Sequence, residues 1–175
     1  MNLVEVVNAT RTTIDEALVA RLVARVLEEE GVAGAEVAVS FVGERRIRAL
    51  NREHRGADEV TDVLSFPLED WEPGGGPAGG VTPGAAATPL ALAPDLGDVA
   101  AAALEDAEGP PLLLGDVVVC VRRALRQARG DDLPPALELA VLLVHGTLHL
   151  LGYDHETDAG RMALRQAEVL ELVDW

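Results

Sequence analysis

His145, His149 and His155 fall within the run HGTLHLLGYDH and are three of the chain's four histidines. On a helix, positions 145 and 149 lie one turn apart, which puts both imidazoles on one face with Cβ atoms about 6 Å from each other. Gly152 permits a sharp turn afterwards, so His155 can swing back toward the first two. Three neutral imidazoles converging on a point form a nitrogen site for a divalent metal, with one position left for water. One zinc ion is the expected cofactor, although nickel and copper accept the same ligands. Such a cage can bring the pKa of water down to about 7, which turns the site toward hydrolysis. Asp154, Glu156 and Asp158 stand beside the run as candidates to orient an imidazole or accept a proton, and spacing does not choose among them. A single histidine on an apolar helix is usually a satisfied core residue. Two at one-turn spacing leave both readings open, and a third with a glycine placed to deliver it points to a metal. His54, which has no such company, reads as a surface or packing residue. Cys120 reads as a small buried hydrophobe.

The spacing H-x3-H-x5-H, with glycine three residues after the second histidine, is shared with the metzincin proteases, which carry a general-base glutamate directly after the first histidine. Here that position is Gly146, so a peptidase would keep its metal cage and lose its proton acceptor. A mid-helix glycine costs about 1 kcal/mol relative to alanine. The expected reason is room at the metal for a substrate group or a neighbouring backbone.

The elements that must position these residues can be read from periodicity. Leu3 to Val7 is an alternating, β-branched strand. Ile14 to Glu30 is an amphipathic helix with Asp15 and Glu16 in its first turn, closed by Gly31. Glu36 to Val42 is a second strand, and Glu44 to His54 a second helix that buries Ile47, Ala49 and Leu50. Asp62 to Leu68 is a short strand that Pro67 places near an end or an edge. Gly115 to Val121 is a strand apolar on both faces, followed by a helix from near Arg122 to Arg129. Pro134 and Pro135 suit the first turn of a long helix to about Leu151, and a last helix runs from about Glu156 to Leu172. Strands mixed with helices give an α/β or α+β sandwich, one sheet with helices packed on it. Residues 1–175 read as one domain, interrupted by a flexible Gly/Pro/Ala-rich insertion at about 73–111.

Net charge is −16, which opposes non-specific attraction to nucleic acid. Its distribution softens that. Eight acidic residues and no basic one lie between Glu69 and Glu108, whereas Arg45, Arg46, Arg48, Arg52 and Arg55 crowd one stretch and Arg122, Arg123, Arg126 and Arg129 another. All fourteen basic residues are arginine. No basic, apolar leader is visible at the start, and Ala136 to Leu151, the most apolar stretch, is too short to span a membrane. One cysteine excludes an intramolecular disulfide and suits a reducing compartment, so the expectation is a cytoplasmic protein with no membrane partner.

Three blocks give the chain a resemblance to the YbeY family of bacterial endoribonucleases, the rRNA maturation factors: LNREHRGADEVTDVLSFP (Leu50 to Pro67), LGDVVVC (Leu114 to Cys120) and HGTLHLLGYDH (His145 to His155). With the amino-terminal strand and helix, the likeness covers nearly everything outside the insertion. It implies an α+β fold, a mixed four-stranded sheet packed with about five helices around a central helix that carries metal-binding histidines. It also implies metal-dependent cleavage of single-stranded RNA, in 16S rRNA 3′-end maturation and ribosome quality control, with the small ribosomal subunit or assembly factors as partners. The three histidines match the family's zinc ligands. Arg55 matches an arginine tied to RNA binding or cleavage, and Arg55 and His145 are the expected catalytic residues. The long insertion departs from the pattern, as does His54 where many members have an aromatic residue.

On chemistry alone, Arg55 is also readable as a solvated helix-end charge or a partner of Asp58. As a phosphate ligand it would offer a guanidinium fork that suits phosphate oxygens. Two other functions compete. One is a ribosome-assembly RNA-binding factor with a mainly structural metal. The other is a metal hydrolase acting on a different substrate such as a peptide.

Overall fold

The computed structural model describes residues 1–68, 71–72, 76–77, 112–155 and 157–172. The long interruption foreseen at 73–111 lies outside these apart from Gly76–Pro77, which pairs as a two-residue strand, β5, with β4 (Trp71–Glu72).

A four-stranded sheet carries the molecule, in the order β1 (Leu3–Asn8), β2 (Ala35–Val42), β6 (Leu112–Cys120), β3 (Val63–Pro67). β1 and β2 are parallel, as are β2 and β6, whereas β3 runs antiparallel to β6. The mixed sheet and five described helices bear out the α+β expectation. Pro67 has no N–H to donate, and it ends β3 on the edge of the sheet, where a missing donor costs least.

The two faces of β6 explain its continuous apolar run. Val117 and Val119 join the larger core with Val37, Val39 and Phe41 of β2, while Val118 and Cys120 join a smaller cluster with Val42, Ile47 and Leu64. Alternation along a strand sends successive side chains to opposite faces. Helix α1 (Glu16–Glu29), α4 (Pro135–Leu150) and α5 (Arg161–Glu171) therefore cover one face, and α2 (Glu44–Arg55) covers the other. Helix α3 (Val121–Gly130) follows β6 directly and packs Ala124 and Leu125 against the larger core. A fully buried leucine such as Leu148 or Leu150 contributes roughly 2 kcal/mol of transfer free energy.

α4 is central because it is apolar almost all round: Ala140, Leu142, Leu143, Val144, Leu148 and Leu150 are buried on different sides of it. Pro134 caps it and Pro135 begins it, where a missing N–H is harmless. Helix α1 begins two residues later than its pattern suggests, which leaves Asp15 just outside the first turn. That residue is the N-cap, and its carboxylate accepts the Leu18 N–H at 2.9 Å, an arrangement worth about 1 kcal/mol.

The last helix starts five residues later than its pattern suggests. Residues 157–160 form a turn in which Ala159 adopts φ +55° and Asp158 accepts the Gly160 and Met162 N–H groups at 2.9 and 2.8 Å. This local side-chain bonding satisfies the first free donors of α5 and competes with an earlier start. His54 and Cys120 are packing residues as foreseen: the His54 ring lies edge-on to Phe66 with centroids 4.9 Å apart, and Cys120 is fully buried. No single described helix is long and apolar enough to cross a membrane.

Candidate metal centre

His145 and His149 project from the last two turns of α4. Beyond Leu151 the helix ends in a Schellman turn: the Gly152 N–H donates to the His149 carbonyl at 3.1 Å and the Tyr153 N–H to the Leu148 carbonyl at 3.1 Å. Gly152 has φ +80°, a left-handed conformation that a side chain would strain. The reversal returns His155 to the other two. Ring centroids lie 4.7 Å apart for His145–His149, 5.4 Å for His145–His155 and 5.3 Å for His149–His155. One ligand atom from each ring lies within 4.8 Å of the others. His145 and His149 are half-buried and His155 is exposed, so solvent reaches the cluster on the His155 side.

Partners from outside the run fix the two helical rings. His149 Nδ1 lies 2.8 Å from the Tyr153 carbonyl, which can only accept, so this nitrogen carries the proton. His145 Nδ1 lies 3.0 Å from Gln166 Oε1 on α5, with the same consequence for the amide as oriented. Both Nε2 atoms are then lone-pair acceptors, and they face each other at 3.1 Å. Two acceptors at that distance repel unless a cation lies between them. The residues thus fit the implied metal through their own hydrogen-bond chemistry. Burial, first of all, pulls the His145 and His149 pKa values below the usual imidazole range, so both are neutral at pH 7, as ligation requires.

Among the described residues the hydrogen-bond partners of these two rings are Gln166 and the Tyr153 carbonyl. Asp158 caps α5, Asp154 accepts the Thr157 hydroxyl at 3.0 Å, and Glu156 lies outside the described residues. Gln166 stands 21 positions beyond His145, and Tyr153 contributes a carbonyl that every residue type possesses.

Arg165 anchors this assembly. Its Nε pairs with the Glu30 carboxylate, its Nη2 donates to the Glu29 carbonyl at 2.8 Å, and Tyr153 donates its hydroxyl to Glu30 at 2.8 Å. Burial, reinforced by that bond to Glu30, pushes the Tyr153 pKa up to about 12. The end of α1, the turn after α4 and helix α5 are therefore tied together around the centre.

Gly146 has a different reason from the one expected. A Cβ there would lie 2.7 Å from Val117 Cγ1, 3.2 Å from Ser65 Oγ and 3.3 Å from Val63 Cγ2. The room is for the sheet and not for substrate. Ser65 uses the close approach, donating to the Gly146 carbonyl at 2.9 Å, so the TDVLSFP strand holds the histidine helix beside His145, in its last two turns.

Arg55 is the last residue of α2, close enough to His149 that its charge helps to hold that imidazole neutral. The sequence alternative of an Asp58 partner does not occur. Asp58 instead accepts Arg48 Nε and Nη2, both at 2.9 Å, with Arg52 at 3.6 Å, and among the described residues Arg55 makes no ion pair. Asp62, unremarked in the sequence, lies on the His145 side and favours that residue's charged form. Burial opposes its own charge, but bonds from Gln127, the Val63 N–H and Thr61 outweigh it and hold its carboxyl below the ordinary range.

A sequence-family model described as "Endoribonuclease YbeY" matches residues 5–174. Similar curated proteins named Endoribonuclease YbeY include one from Anaeromyxobacter sp. (strain Fw109-5), 43% identical over 141 residues, spanning 79% of this chain and 55% of that protein. Another, from Macrococcus caseolyticus (strain JCSC5402), is 40% identical over 155 residues, covering 86% and 80%. One from Chloroflexus aurantiacus (strain ATCC 29366 / DSM 635 / J-10-fl) is 35% identical over 165 residues, covering 92% and 88%. The solution structure of TM1509 from Thermotoga maritima aligns with a TM-score of 0.54 at 25% identity, covering 97% of this chain and 87% of that one. A family match spanning the described strands, the central helix and all three histidines leaves one assignment: the chain belongs to the YbeY family of endoribonucleases.

Proposed function

We propose that this protein is a zinc-dependent endoribonuclease that cleaves single-stranded RNA, with the 16S rRNA precursor at its 3′ end as substrate. In this reading residues 1–175 form one cytoplasmic domain interrupted near 73–111. It acts in rRNA maturation and ribosome quality control alongside the small subunit or its assembly factors. The carrying observation is the convergence of His145, His149 and His155 to within 4.8 Å in a chain of this family.

His145, His149 and His155 hold the ion. Bound there, zinc supplies Lewis acidity toward a phosphoryl oxygen and makes water easier to deprotonate. The chain's own groups do the rest. Gln166 and the Tyr153 carbonyl keep the Nδ1 protons of His145 and His149 in place, so that Nε2 faces the centre. Arg55, with no carboxylate partner among the described residues, turns its fork to the phosphate oxygens on which charge builds. A structural metal ordinarily takes four protein ligands, and the cluster has three among the described residues, which supports the catalytic reading over the structural one.

The test compares wild type, His145→Ala, His149→Ala and Arg55→Glu for bound zinc and for cleavage of a single-stranded rRNA 3′ fragment, with casein as the peptide control. The histidine variants should lose both zinc and cleavage, and Arg55→Glu should lose cleavage with near-normal zinc. Chelator-sensitive casein hydrolysis without RNA cleavage would replace this reading with a peptidase.

A further inference from the structure

Helix α3 has four arginines in ten residues and no acid. Arg122, Arg126 and Arg129 recur at i, i+4 and i+7, which aligns them on one face. Together with Leu125 they line a cleft of about 320 Å³. All three are exposed. Arg126 pairs with Glu44, whereas among the described residues Arg122, Arg123 and Arg129 make no ion pair. Glu44 is the carboxylate within this group and Asp131 and Asp132 follow the helix, so the cluster keeps a positive excess in a chain of net charge −16.

The position of the cluster is informative. The Arg126–Glu44 pair docks α3 against the first residue of α2, and Arg55 is the last residue of the same helix. Eleven residues of helix put those ends about 17 Å apart. Between them Arg45, Arg48 and Arg52 share the Arg55 side of α2 at i, i+3 and i+7, with Arg46 turned away. The two helices hold nine of the fourteen basic residues.

We propose that the Arg122–Arg126–Arg129 cleft is a second phosphate site, which grips the sugar-phosphate backbone of an RNA strand whose scissile bond lies at the histidine centre. The proposal rests on the endoribonuclease reading. Guanidinium forks match phosphate oxygens in pairs. The cleft has no aromatic lining residue on which a base could stack, so it reads charge and not sequence. It gives a strongly acidic protein the local positive potential that holding a polyanion requires.

The test is binding of a long and a short single-stranded RNA, the short one covering only the histidine centre, to the zinc-loaded wild type and the Arg122→Ala/Arg129→Ala variant across a salt series. For the long RNA the variant should lose about tenfold in affinity, and its salt slope should flatten by about 0.7 per arginine removed. Binding and cleavage of the short RNA should not change, and Arg122→Lys/Arg129→Lys should restore most of the loss. An unchanged salt slope and Kd for the long RNA would overturn the proposal. Preferential displacement of the long RNA by inorganic phosphate over chloride at matched ionic strength, lost in the alanine variant, would support phosphate recognition by these arginines, and equal displacement by the two anions would count against it. Failure of the wild type to cleave either RNA would instead strike the endoribonuclease reading itself.

Discussion

The Nε2 atoms of His145 and His149 face each other at 3.1 Å while each Nδ1 is committed to an acceptor. Neither ring can move its proton inward without losing a bond, so the gap between them favours a cation. A consequence follows for pH. Both imidazoles titrate below the usual range, chiefly through burial. A histidine with a depressed folded-state pKa takes up its proton more readily in the unfolded chain, so stability falls as pH drops below the unfolded value of about 6.5 and levels off below the folded one. The metal-free protein should lose thermal stability over that window, and His145→Ala/His149→Ala should flatten the dependence. Melting curves of chelator-treated protein between neutral and mildly acidic pH measure this directly.

Gln166 should govern metal affinity with little effect on folding. Gln166→Leu leaves the His145 Nδ1–H without an acceptor and frees the wrong tautomer, so zinc affinity should fall about 10–100-fold. Gln166→Glu keeps an acceptor and should retain or tighten binding. Competition against a chromogenic chelator separates these outcomes.

Tyr153→Phe removes the hydroxyl bond to Glu30 and keeps the carbonyl that holds His149. Stability should fall by about 1–2 kcal/mol with zinc affinity nearly unchanged. Arg165→Leu should cost more, because it strips the Glu30 carboxylate, 6% exposed, of its counter-charge. Urea unfolding of zinc-loaded protein gives both numbers.

Gly146→Ala tests whether the sheet or the substrate needs the space. Helix propensity alone would favour alanine by about 1 kcal/mol. The 2.7 Å approach to Val117 Cγ1 should reverse the sign, with a net loss of about 1–3 kcal/mol from overpacking. A variant more stable than wild type would show that the glycine serves something other than helix–sheet packing.

Much of this site was legible because its signals are local. The one-turn spacing of His145 and His149, Gly152 at the reversal and the alternating or continuous apolar runs of the strands all act over a few residues. Pro67 at the sheet edge and Pro135 at the start of α4 are local signals of the same kind. The reason for Gly146 was not legible, since it depends on strands 29 to 83 positions earlier in the chain. Gln166 and Glu30 act through bonds spanning 21 and 123 positions, and a backbone carbonyl such as that of Tyr153 leaves no mark on composition. The late start of α5 was hidden because Asp158 bonds its own turn, a competition that periodicity does not register.

The most direct measurement is titration of zinc into chelator-stripped protein, with cleavage of a single-stranded rRNA 3′ fragment followed at each step. Three imidazoles closing on one ion predict no cleavage at the start, a rise that saturates at one zinc per chain, and no recovery in His149→Ala. Full cleavage by the stripped protein, unmoved by added zinc, would contradict the metal centre as the seat of catalysis.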